Sequence, residues 1–214
     1  PVQIEYFRSK NIPSLLINAR LSQKSYLRWA RISGLAERLL GAFQVILVQS
    51  PQFKDYLLGQ GVNDKQIIYY PYYAESFYDI VVPSTNIKQT FPKGLNIVFA
   101  GNIGVAQSFD TIINAVKIAS EKIDNFTLIV LGEGRDKKRI LDKINSMNLN
   151  NHFKFLGSFP PEKMPEFFAS ADALLVSLKK TKIFSMTIPG KLQSYLACGR
   201  PIIASLDGIG AEII

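Results

Sequence analysis

Residues 95–135 read LNIVFAGNIGVAQSFDTIINAVKIASEKIDNFTLIVLGEGR, and this stretch decides the fold class. It opens on an apolar run, Leu95–Ala100, that does not alternate with polar residues, as a strand covered on both faces requires. Phe109, Ile112, Ile113 and Val116 then recur at the i, i+3, i+4 and i+7 spacing of a helix with one apolar stripe. A second unalternating run, Thr127–Leu131, follows. Strand, helix and strand in this order predict a βαβ unit with parallel pairing.

The same alternation extends both ways. Before this stretch the candidate strands are Ser14–Ile17, Val45–Gln49 and Gln66–Tyr69; after it they are Phe153–Leu156, Ala173–Ser177 and Pro201–Ala204. The fold class is α/β. Residues 81–94, VVPSTNIKQTFPKG, are polar, hold two prolines and a glycine, and show no apolar period, so they read as a linker. It separates an incomplete α/β unit from a fuller one. Both ends look cut: the chain enters just ahead of a helix-like stretch and stops at GAEII without a terminating signal.

Composition narrows the function classes. The longest apolar runs fall short of the ~18–20 residues of a spanning helix, and the first residues lack the pattern of a signal peptide. A single cysteine, Cys198, excludes an internal disulfide and fits a reducing cytoplasm. One cysteine and one histidine cannot supply the ligands of a zinc site. The net charge is +8, and Arg8, Lys10, Arg20, Lys24, Arg28, Arg31 and Arg38 face only Glu5 and Glu37 before Val45. Such a surface suits an anionic membrane or a phosphorylated ligand, or is a plain solvated face. No nucleic-acid module is legible.

In open parallel sheets, ligands bind beyond the carboxyl ends of the strands, so chemistry is sought in the loops that follow them. After Leu95–Ala100 comes GNIGVAQS, where Gly101, Asn102 and Gly104 would let backbone amides approach an anion before a helix capped by Ser108. After Thr127–Leu131 comes GEGRDKKR, where Arg135, Lys137 and Lys138 crowd a helix start that disfavours cations. This suggests an external anion, or a solvated face balanced by Asp136. The loop GSFPP, with Phe159 in it, would offer backbone groups to the edge of a base, while Met164, Phe167 and Phe168 read as core. His152, just before a strand, reads as a boundary residue. In IFSMTIPGKLQSYLACGRPIIA, Pro189 starts a helix, Gly199 ends it, and Lys191 sits in its first turn, where phosphate contact explains it best.

These loops, in this order, resemble glycosyltransferases of the GT-B fold, family 4, over about residues 43–212: FQVILVQS, QIIYYPYYAESFY, FAGNIG, VLGEGR, FKFLGSFPPEKMPEFFASADALLVSL and PGKLQSYLACGRPIIASLDG. The wording is especially similar to bacterial transferases of N-acetylated amino sugars, fucosaminyltransferases among them. Residues 12–62 also resemble the acceptor domain of Kdo transferases. The resemblance implies two Rossmann-like domains: the C-terminal part of an acceptor-side domain in residues 1–85, and a nucleotide-sugar domain, truncated at its C-terminus, in residues 86–214. It implies a UDP-linked donor, no metal and retention of configuration. It further implies a lipid-linked or glycan acceptor and a cytoplasmic enzyme, peripheral to the inner membrane face through residues 8–38.

Two positions depart from the family pattern. Where many members carry Arg and Lys for the diphosphate, this chain has Asn102 and Gln107; where they carry a Glu-x7-Glu pair, it has Met186 and Ser194. The diphosphate charge then falls to Arg135 and Lys191, with backbone amides near Gly101–Gly104 and Ser185–Met186, while the catalytic residues stay unassigned. A UDP-sugar 2-epimerase and a donor-binding subunit that needs a partner chain are the alternatives.

Overall fold

A computed structural model describes residues 2–19, 34–71 and 73–214. These form two compact units: Pro1–Tyr72, Thr181–Ile188 and Gly208–Ile213 make the first, and Tyr73–Lys180 with Pro189–Asp207 make the body of the second. The polypeptide therefore passes from the second unit back to the first at 181 and again at 208, whereas the sequence alone suggested one division at 85/86.

The first unit is built on a parallel sheet, β1 (Leu15–Leu16), β2 (Val45–Val48) and β3 (Ile67–Tyr69), in the order β1-β2-β3. Ile46 and Val48 are buried with Leu40, Phe53, Leu57, Val62, Ile67 and Ile183. Helix α1 (Pro51–Leu58) starts where Ser50 accepts the Phe53 N–H at 3.1 Å, with Pro51 at the first position.

The second unit holds five parallel strands in the order β6-β5-β4-β7-β8: β4 (Leu95–Ala100), β5 (Phe126–Leu131), β6 (Phe153–Gly157), β7 (Ala173–Ser177) and β8 (Ile202–Ser205). All eight strands expected from the sequence are present, with ends moved by a residue or two. Every residue of β5 is buried, which is why its run shows no alternation. Phe99, Leu128 and Val130 face one core with Phe109, Ile112, Ile113 and Val116 of helix α2 (Phe109–Ser120). Val98, Ala100, Ile129 and Leu131 face the other, with Met164, Phe167 and Phe168 of α3 (Met164–Ala169) and Tyr195 of α4 (Gly190–Ala197). Each large apolar side chain fully buried in such a core stabilises it by roughly 1.5–3 kcal/mol. His152 is structural: its ring stacks on Phe126, 4.6 Å between centroids, and its Nδ1 lies 3.1 Å from the Phe126 carbonyl.

Residues 81–94 are no free linker. They contain a helical turn, Thr85–Lys88, and Ile87 and Phe91 pack onto the second core. The Ser84 N–H donates to Glu166 Oε2 at 3.0 Å, and the Ser84 hydrogen bonds hold the Glu166 carboxyl down to about 2. Asn96 Nδ2 donates to the carbonyls of Pro92 and Gly94. The expectation failed because two anchors, Ile87 and Phe91, are too few to create a visible period.

Tyr195 ties α4 to the sheet. It is fully buried, its hydroxyl accepts the Ala100 N–H at 2.9 Å, and its ring meets Phe168 edge-on at 5.0 Å. Tyr195→Phe strands that N–H in the core and is expected to cost about 1–2 kcal/mol. Urea unfolding should show a lower midpoint at unchanged slope.

Among the described residues no helix is long and apolar enough to cross a membrane. Of the basic residues near the N-terminus, Arg20, Lys24, Arg28 and Arg31 lie outside the described residues. Arg38 pairs with Glu5 at 2.7 Å, and Arg8 and Lys10 are exposed.

Candidate functional site

The loops after β4 and β5 are laced together by their backbones. Gly101 N–H donates to Leu131 O at 2.9 Å, Ile103 N–H to Glu133 O at 2.8 Å, and Asp136 N–H to Ile103 O at 3.2 Å. Ile103 is fully buried and pins the first loop down. Asn102 is exposed and Gly104 partly so, leaving this loop open at the carboxyl end of the sheet. A short turn, Val105–Gln107, leads to Ser108. Ser108 stands at the cap position of α2 in a left-handed conformation and does not cap it: its hydroxyl is 2.9 Å from the Thr111 hydroxyl. That backbone geometry turns the side chain away from the helix amides.

Lys191 enters from α4, whose N-cap is Pro189. Its Nζ donates to Gln107 Oε1 at 3.0 Å and lies 3.8 Å from the centroid of the Phe99 ring. Gly101 makes room for it, since a Cβ there would stand 3.0 Å from the Nζ. Among the described residues no carboxylate pairs with this ammonium. Burial pushes the Lys191 amine down to about 7. A half-buried cation whose ammonium faces a neutral amide and an aromatic ring lacks a counter-charge among the described residues. An anion would supply it.

The second cation lies on the next loop. Arg135 is exposed and, among the described residues, has no ion pair, and Lys138 is exposed likewise. The crowding there is partly resolved within the chain: Lys137 pairs with Glu133 at 2.7 Å, and Asp136 and Asp110 both bind Arg139. Lys137 therefore follows the solvated-face reading, whereas Arg135 keeps an exposed charge. Phe159 is 39% exposed, with its ring 4.5 Å from Phe167, so one aromatic face is anchored at the end of β6.

Ser194 is buried on the inner side of α4 beside Tyr78, whose phenol burial raises and the Ser194 hydroxyl lowers. Ser185 and Met186 belong to the first unit, where the Met186 carbonyl accepts from Ser50 Oγ at 2.7 Å. The second unit thus holds Gly101, Asn102, Gly104, Arg135, Phe159, Lys191 and Ser194, and the first holds Ser185 and Met186. Sequence reading missed the role of Phe99 as the seat of the Lys191 ammonium. It had no signal beyond its place in a buried strand. Among the described residues, no three His, Cys, Asp or Glu side chains gather as a metal site would require.

Residues 94–214 match the family model described as glycosyl transferases group 1, more than half of the chain. The chain belongs to this family. Residues 1–70 of this group 1 glycosyl transferase also match the model of the 3-deoxy-D-manno-octulosonic-acid transferases. Among curated proteins, none matches its sequence significantly. The fold is α/β of the GT-B type and is similar to that of HepE from Anabaena, solved with UDP and glucose, at a TM-score of 0.78 and 15% identity. All of the group 1 glycosyl transferase chain is covered in that match and 58% of HepE. It is similar as well to a glycosyltransferase from Rickettsia africae, at a TM-score of 0.70 and 11% identity over 100% of this chain and 62% of the other. The pneumococcal O-GlcNAc transferase GtfA, solved with UDP and GlcNAc, matches at 0.67 and 13%, over 99% of this chain and 40% of its own. The chain thus spans somewhat over half of the HepE fold.

Proposed function

We propose that this polypeptide serves a glycosyltransferase that moves a sugar from a UDP-linked donor to a lipid-linked or polysaccharide-precursor acceptor, with retention of configuration. The observation that carries the reading is Lys191, whose ammonium has no carboxylate partner among the described residues and lies at the carboxyl end of a parallel sheet. The donor diphosphate is the natural counter-charge. In the reaction the sugar–oxygen bond breaks and negative charge grows on the leaving diphosphate. Lys191, the α4 N-terminus, Arg135 and the amides of the Gly101–Gly104 loop would stabilise that charge, as an oxyanion hole does. Phe159 would meet the base, and no metal is required by this arrangement. The likeness of the loops to fucosaminyl-type transferases favours an N-acetylated amino sugar. The basic residues between 8 and 38 favour work at the inner face of the cell membrane.

The epimerase alternative draws little from this chain, because His152 sits at the entry of β6, away from the loops, and stacks on Phe126. Calorimetric titration with UDP tests the donor site. Lys191→Ala and Arg135→Ala are each expected to weaken binding roughly 10-fold or more, the scale of one charge-assisted contact to a phosphate. The assignment falls if neither change lowers the affinity.

A further inference from the structure

Gln107 occupies one of the positions where the resemblance expects a cation, and the structure gives it a different task. Its Oε1 accepts from Lys191 Nζ at 3.0 Å, while the Phe99 ring sits 3.8 Å below the same nitrogen and Gly101 leaves the space beside it empty of side chain. Gln107 is held in turn: its N–H donates to Gly104 O at 3.0 Å, and the neighbouring Ala106 carbonyl accepts the Lys179 N–H at 2.8 Å. An amide oxygen can orient an ammonium without neutralising it. A carboxylate in the same place would do both and would repel an incoming anion.

We infer that Gln107 is a positioning residue: it holds the Lys191 Nζ over the Phe99 face without supplying a counter-charge, as the seat of the donor diphosphate. The inference rests on the proposed donor site and deepens it. Gln107 works through Lys191, so its substitution changes how the amine titrates as well as how tightly an anion is held. Among the described residues, the groups facing Lys191 Nζ are uncharged: the Gln107 amide, the Phe99 ring and the Gly101 backbone.

The test is UDP affinity by calorimetry from pH 6.5 to 9 for the whole chain, with Gln107→Leu, Gln107→Glu and Lys191→Ala. The variants are compared with wild type at each pH, so that titration of UDP itself cancels. Gln107→Leu is expected to weaken binding about 5-fold at pH 7 and to move the alkaline loss of affinity to lower pH, because the ammonium loses its acceptor. Gln107→Glu is expected to weaken binding about 10-fold and to move that loss to higher pH, because the ammonium gains a counter-charge. Thermal unfolding, run alongside, shows whether each variant is folded. A merely structural amide would not shift the pH midpoint in opposite directions. Wild-type affinity and midpoint in both Gln107 variants, with binding weakened by Lys191→Ala, would overturn the positioning role alone. No effect of Lys191→Ala would remove Lys191 from the donor site and overturn the positioning role with it; the donor site itself falls only if Arg135→Ala is silent as well.

Discussion

Gly132→Ala is expected to remove most of the stability of the second unit and, with it, any binding of UDP. Gly132 follows β5 with φ +137°, a region that side-chain-bearing residues rarely adopt, and a Cβ there would stand 2.0 Å from the Gly101 carbonyl oxygen. Its N–H donates to Gly157 O at 2.7 Å, so the residue is clamped between the loops after β4 and β6. Neither neighbour is the end of a flexible side chain. Both are backbone. Strain at such a φ costs about 1–3 kcal/mol, and forcing an atom into packed surroundings costs a similar amount again. A total of roughly 2–6 kcal/mol corresponds to a fall in melting temperature on the order of 10 °C. Thermal unfolding followed by circular dichroism is the measurement, with a UDP titration below the transition. A variant that melts within about 2 °C of wild type would show that the two loops can separate without loss.

Lys191→Met is expected to act in the opposite sense on stability while destroying the same binding. Burial pushes the folded-state amine from its ordinary value of 10.5 down to about 7. Between these two values the unfolded chain binds more protons than the folded one, so wild-type stability rises with pH across that window. Below about pH 7 the folded state carries the full penalty of an enclosed ammonium. Methionine has similar length and no charge, so the variant escapes that penalty. At pH 6 it should be more stable than wild type by roughly 1–4 kcal/mol, and the gap should close as the pH approaches 10. Denaturant unfolding at pH 6, 8 and 9.5 reads this directly. A gap that does not change with pH would mean that Lys191 is as well solvated folded as unfolded.

The core of the second unit was legible residue by residue. Leu95–Ala100, Thr127–Leu131 and Ala173–Ser177 announce themselves because a strand buried on two faces has no polar alternation to hide it. Phe109, Ile112, Ile113 and Val116 announce α2 through their period, and all four are buried. Residues 81–94 were misread because only Ile87 and Phe91 anchor them. Ser108 stands at the expected N-cap position, but without a side-chain cap, because a hydroxyl before a helix looks the same in sequence whether or not its backbone lets it cap. The apparent cluster Arg135, Lys137 and Lys138 separated into a lysine paired with Glu133, which the loop's basic appearance had overshadowed, and two exposed cations, Arg135 and Lys138, without an ion pair among the described residues.

The family and its candidate loops were carried by the sequence itself, since strand-length apolar runs, glycine turns and a proline-started helix are local patterns with local causes. The environment of Lys191 was not, and neither was the return of residues 181–188 and 208–213 to the first unit. Those depend on residues far apart in the chain: Gln107 and Lys191 are separated by 84 positions and meet at 3.0 Å. Whether a lysine is a solvated ornament or an enclosed cation in want of an anion is set by what surrounds its nitrogen, and only the folded chain brings those groups together.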